Sequence, residues 1–123
     1  MTRKFFVAIA AVAVAALALT AASFARSSGT PTLVGTVGPG YTISVKKNNT
    51  AVKTLKAGTY KLVVQDKASI HAFSLDGPNG FAKDFTTVPF VGTKTFTLTL
   101  KKGAYKYYCP PHEPTMFGRF IVK

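Results

Sequence analysis

Beyond residue 33, apolar and polar residues alternate with period two along most of the chain, and the alternation breaks at short runs rich in Gly, Asn, Asp, Lys and Pro. Tyr41-Thr42-Ile43-Ser44-Val45 is one such segment, closed by the polar run Lys46-Lys47-Asn48-Asn49. Gly58 opens a second, Thr59 to Gln65, with Tyr60, Leu62 and Val64 on one face. Ile70 to Leu75 alternates again and puts His71 on the face of Phe73 and Leu75. Asp76-Gly77-Pro78-Asn79-Gly80 then predicts a turn. The clearest alternation runs from Thr95 to Leu100. Phe96, Leu98 and Leu100 face one way and the three threonines the other, because successive strand side chains point to opposite faces. Lys101-Lys102-Gly103 turns the chain into Ala104 to Cys109, and Phe117 to Lys123 is the last segment. No stretch beyond residue 30 repeats at the helical period. About eight short strands at turn spacing predict an all-β domain over residues 33–123, an antiparallel β-sandwich or barrel without internal repeat or second domain.

The N-terminal stretch follows a different logic. Met1-Thr2-Arg3-Lys4 is basic, Phe5 to Ala22 is uncharged, and Thr20-Ala21-Ala22 and Ser23-Phe24-Ala25 are both small-x-small sites. That order reads as a secretory signal over residues 1–25, followed by a flexible tether over 26–32. The expected location is then periplasmic, extracellular or the cell envelope. The uncharged run of 18 residues stands at the lower edge of what crosses a bilayer, so an uncleaved anchor is the alternative.

Charge narrows the choice of partners. Without residues 1–25, fourteen Lys or Arg face Asp66, Asp76, Asp84 and Glu113, a net charge near +10. Such a surface keeps a small monomer soluble and steers it toward acidic proteins or anionic envelope surfaces, most strongly at low salt. Nucleic acid is excluded as a partner. The lysines are scattered over strand-like segments instead of forming an arm, and export argues the same way.

Cysteine, methionine and histidine are scarce, and their positions carry the chemistry. The chain has one Cys, two Met including the initiator, and two His. Cys109, His112 and Met116 fall within eight residues, in Tyr107-Tyr108-Cys109-Pro110-Pro111-His112-Glu113-Pro114-Thr115-Met116-Phe117-Gly118. His71 lies 38 residues upstream of the cysteine. A thiolate, two imidazoles and a thioether are the ligand set of a trigonal copper site with a weak axial Met. A single thiol in an exported chain is also explained by a metal, which deprotonates it and keeps it out of disulfide exchange. A Cys-His-His site with an open fourth position accepts zinc as well, but the soft thioether and the affinity order favour one copper ion. Pro110, Pro111 and Pro114 restrict φ in the loop between two strands, and His71 must reach it from a neighbouring strand.

These residues resemble the cupredoxins, the small blue copper proteins of the plastocyanin, pseudoazurin and amicyanin type, over roughly residues 33–123. The likeness is strongest from Tyr108 to Val122, at Ser69-Ile70-His71-Ala72-Phe73, and in the Lys-Gly-x-Tyr-x-Tyr approach to Cys109. It implies an eight-stranded Greek-key β-sandwich with copper held by His71, Cys109 and His112 and by Met116 as the long axial ligand. Two departures stand out. Three residues separate His112 from Met116, where plastocyanins have four and amicyanins two. Ala72 stands where many members carry an Asn whose side chain ties the two ligand loops together.

The functional expectation is an exported type 1 copper protein cycling between Cu(I) and Cu(II), docking transiently on an acidic redox partner. Pro78, Phe81, Pro110, Pro111, Pro114 and Phe117 are candidates for an apolar rim around the edge of His112, and Glu113 for a partner contact or an ordinary solvated acid. An envelope copper carrier that delivers metal instead of charge is the alternative. A metal-free interaction domain is the third reading. Catalysis by the chain alone is not expected, because related oxidases need a further histidine-rich centre and two histidines cannot build it.

Overall fold

The computed structural model describes residues 29–123, so the expected signal and anchor readings lie outside the described residues. Ten strands follow one another: β1 Thr32–Val37, β2 Ile43–Lys47, β3 Thr50–Ala51, β4 Thr54–Leu55, β5 Gly58–Asp66, β6 Phe73–Asp76, β7 Ala82–Thr86, β8 Gly92–Leu100, β9 Gly103–Tyr108 and β10 Phe117–Val122. Two are only two residues long, which leaves eight substantial strands. Among the described residues no helix is long and apolar enough to cross a membrane. Among the described residues the helical content is one 3-10 turn at Pro78–Gly80 and another at Pro110–His112.

The strands form two five-stranded sheets, in the orders β3-β2-β1-β5-β8 and β4-β10-β9-β6-β7. Leu33, Val37, Tyr60, Leu62, Val64, Leu98 and Leu100 of the first sheet share one buried core with Leu55, Phe73, Leu75, Phe85, Tyr105, Phe120 and Val122 of the second. The expected sandwich is therefore what forms, and its pairing is mixed. β1 runs parallel to β5, and β4 parallel to β10, while the remaining pairs are antiparallel. These parallel pairs arise because the chain passes between sheets before the pairing strand appears, a connection that local patterning does not display.

Alternation translated into burial where the strand is long. Tyr60, Leu62 and Val64 point inward from β5, and Asp66 continues that face as a buried carboxylate. Leu98 and Leu100 point inward from β8, with Phe96 half-buried and the threonines outside. The β1 strand is already in register at Thr32, which pairs with Lys61. In two places the chain departs from its pattern. Tyr41 and Thr42 precede β2 instead of belonging to it, since Gly38 N–H donates to Thr42 O at 2.9 Å and closes a loop over residues 38–42. His71 precedes β6: its N–H donates to Ala68 O at 3.2 Å, making a turn of what alternation alone placed in a strand.

Four loops gather at one end of the sandwich, connecting β1 to β2, β5 to β6, β7 to β8 and β9 to β10. That end carries the site.

Candidate metal centre

The β9–β10 loop is held by its own backbone. Cys109 N–H donates to Met116 O at 3.0 Å, which closes the loop across its base. His112 N–H returns to Cys109 O at 2.9 Å, and the N–H groups of Thr115 and Met116 both donate to His112 O, at 3.0 and 2.9 Å. The paired prolines at 110 and 111 begin a 3-10 turn, where fixed φ is compatible and a missing N–H costs nothing. On its outer side the loop is tied to β9, where Lys106 Nζ meets Glu113 Oε1 at 2.8 Å. Glu113 is thus an ion-pair partner of β9 as well as a surface acid.

The second approach comes from β5 and β6. Asp66 Oδ1 accepts from Ala68 N–H at 3.3 Å, which turns the chain inward after β5. The ladder between β6 and β7 shifts register between Phe73 and Ser74. Phe73 N–H, left out of regular pairing there, donates to Thr86 Oγ1 at 2.9 Å. Phe73 is fully buried and stacks on Tyr107 with ring centroids 6.2 Å apart, so the residue just after the turn is anchored in the core.

These two segments bring three donors to one point. His71 Nδ1 and His112 Nδ1 are 3.2 Å apart, and Cys109 Sγ lies 3.8 Å from the first and 3.7 Å from the second. A point equidistant from all three lies about 2.1 Å from each, within the span of about 2.0–2.3 Å that first-row metals keep to imidazole nitrogen and thiolate sulfur. The residues present therefore fit a metal ion. His71 and Cys109 are fully buried, Met116 is 1% exposed, and His112 is half-buried and forms the outer side of the cluster. Cys109 Sγ also accepts from Ala72 N–H at 3.4 Å. Ala72 lacks the side-chain bond that an Asn would supply, but its backbone links the two ligand loops directly through the sulfur.

Several residues emerge only from the structure. Asp66 and Thr86 anchor the His71 segment, and the ring of Tyr41 stands against both histidines. Two members of the expected apolar rim lie elsewhere than the sequence pattern placed them. Pro78 and Phe81 follow β6 away from His71 and sit with Tyr105 and Thr99 at the opposite end of the sandwich. Pro110, Pro111 and Pro114 are exposed on the β9–β10 loop, and the exposed large hydrophobic side chains at this end are Tyr41, Ile70, Val88 and Val91, with Phe117 at the start of β10.

The fold is cupredoxin-like, and His71, Cys109 and His112 converge as a set able to hold a metal ion. No family model and no curated protein matches the chain. Among solved structures it is similar to rusticyanin, described as a copper protein, with TM-score 0.56 and 25% identity over 76% of this chain and 78% of that one. Reduced rusticyanin aligns with TM-score 0.54 and 28% identity, covering 76% and 79%. An oxidised methionine-to-leucine mutant of amicyanin shares the fold, with TM-score 0.50 and 15% identity over 74% and 81%.

Proposed function

We propose that this protein is an exported electron carrier in which His71, Cys109 and His112 would hold one copper ion, with the Met116 thioether as a weak fourth donor. The observation that carries the reading is the convergence of two imidazole nitrogens and a buried thiol sulfur on one point, from two separately anchored loops. The likeness to a copper protein of the same fold supports it. Copper bound there supplies a one-electron couple between Cu(I) and Cu(II). The chain's own residues do the rest. Backbone bonds across the Cys109–Met116 loop and the packing of Phe73 hold the donors in one arrangement, so little moves when charge changes. The Ala72 N–H stabilises sulfur as thiolate. His112, the half-buried ligand, couples the centre to the end of the molecule where a partner docks.

Charge distribution supports a transient acidic partner. Asp76 accepts from the Tyr108 hydroxyl at 3.2 Å, and the charges of Asp76, Glu113 and Asp84 all act on that phenol. The fourth acid, Asp66, is buried, so the remaining charged surface is basic. Encounter with an acidic partner is accelerated by such a surface and slowed by salt.

Titrating the copper-free protein with Cu(II) tests the reading. One equivalent is expected to produce an intense visible sulfur-to-copper charge-transfer band, absent in Cys109→Ala and retained in Met116→Leu with a higher reduction potential. Colour that survives in Cys109→Ala refutes the assignment. Slow loss of Cu(I) to a chelator together with fast electron self-exchange is the expected behaviour of an electron carrier. Release within minutes favours metal delivery instead.

A further inference from the structure

We propose that Tyr41 is the outer cover of this centre, a positioning residue whose ring holds His112 against His71 and screens both imidazoles from small ligands in solvent. The inference rests on the copper site proposed above, and concerns a residue outside its ligand set.

Three rings meet at the ligand end of the sandwich. The Tyr41 ring lies 5.3 Å from that of His71 and 5.0 Å from that of His112, with interplanar angles of 74° and 90°. The two imidazoles are 5.0 Å apart at 81°. Each ring is therefore nearly perpendicular to both others, the edge-to-face arrangement that aromatic quadrupoles favour. Removing Tyr41 takes away one of these contacts from each histidine. His71 keeps its position through the turn from Ala68 and the core packing of Phe73. His112 sits on a loop and is already half-buried, so it depends on Tyr41 more.

The backbone shows that the placement is built. Gly38 has φ +74°, a conformation glycine adopts without penalty, and a Cβ there would come 3.0 Å from His71 Cδ2 and 3.2 Å from Ala68 Cβ. The 38–42 loop thus lies directly on His71, and the bond from Gly38 N–H to Thr42 O fixes its closure just beyond Tyr41. Yet Tyr41 is 62% exposed, more than any other large hydrophobic residue of the described chain. An aromatic side chain that gains so little burial contributes little to the core. Its aromatic partners are the rings of His71 and His112.

Tyr41→Ala and Tyr41→Phe test this, compared with the parent in three measurements. In the Cu(I) protein, extraction by bicinchoninate is expected to run roughly tenfold faster in Tyr41→Ala, the factor that losing two edge-to-face contacts supplies. In the copper-free protein, carbethoxylation of His112 by diethyl pyrocarbonate is expected to accelerate in the same variant, while buried His71 stays unreactive. The electron spin resonance spectrum of its Cu(II) form is expected to change, a signature that a merely stabilising residue would not move. Tyr41→Phe keeps the ring and is expected to match the parent in all three. Rates in Tyr41→Ala within about twofold of the parent overturn the cover, as does a Tyr41→Phe variant as perturbed as Tyr41→Ala, since the hydroxyl would then be the active group. Failure of the copper reading shows separately, as a parent protein without the charge-transfer band. The carbethoxylation result does not depend on metal at all.

Discussion

Thr86 shows how one hydroxyl holds the segment of His71 in place without touching that histidine. The register shift between Phe73 and Ser74 removes Phe73 N–H from the ladder, and Thr86 Oγ1 takes that donor in a fully buried setting. Valine has nearly the shape of threonine and no acceptor. In Thr86→Val the Phe73 N–H stays buried without a partner, a loss of about 1–3 kcal/mol. Urea denaturation of the copper-free protein is expected to show that loss, with Thr86→Ser recovering most of it. A valine variant as stable as the parent would mean that another group satisfies Phe73. Asp66 acts similarly on the other side of His71, where its Oδ1 shapes the turn at Ala68.

The β9–β10 hairpin is the element that delivers most of the donors, and its precision depends on a small residue. Gly118 pairs with Tyr107, and a Cβ at that position would run into the Tyr107 hydroxyl and ring. Tyr107 in turn stacks on Phe73 and on Phe120. Gly118→Ala therefore pushes on the ring that anchors the His71 segment as well as on the strand that begins just after Met116. It is expected to destabilise the fold by about 1–3 kcal/mol, the usual cost of overpacking. Because part of the clash is with the hydroxyl, adding Tyr107→Phe is expected to recover some of the loss, and a double-mutant cycle measures that coupling. Strict additivity would place the strain elsewhere.

Across the sandwich, phenols behave as a set. Burial pushes the pKa values of Tyr105, Tyr107 and Tyr108 up. Hydrogen bonds involving the backbone at Lys101 and Val45 lower those of Tyr105 and Tyr107 in part, and the Asp76 charge raises that of Tyr108 further. A raised phenol pKa means that the folded protein keeps protons which the unfolded chain releases. The stabilisation is complete below the unfolded value of about 10 and declines as pH rises through it. Phenolate absorbance of the folded protein is thus expected to lag behind that of urea-unfolded protein above about pH 10, and the contribution of these tyrosines to stability to fall over the same range. Coincident titration curves would contradict an upward shift by burial.

Much of this architecture was legible along the chain because its cause is local. Period-two alternation follows from strand geometry, so the inward faces of β5 and β8 could be read directly, and so could a loop carrying Cys109, His112 and Met116 within eight residues. The position of His71 as a turn residue, the parallel partners of β1 and β10, the displacement of Pro78 and Phe81 to the far end, and the meeting of Tyr41 with two histidines were not legible. Those depend on which loops share an end of the sandwich and how closely backbones approach there. Alternation tells which way a side chain faces, but the neighbours it meets are chosen by the path of the chain between the sheets.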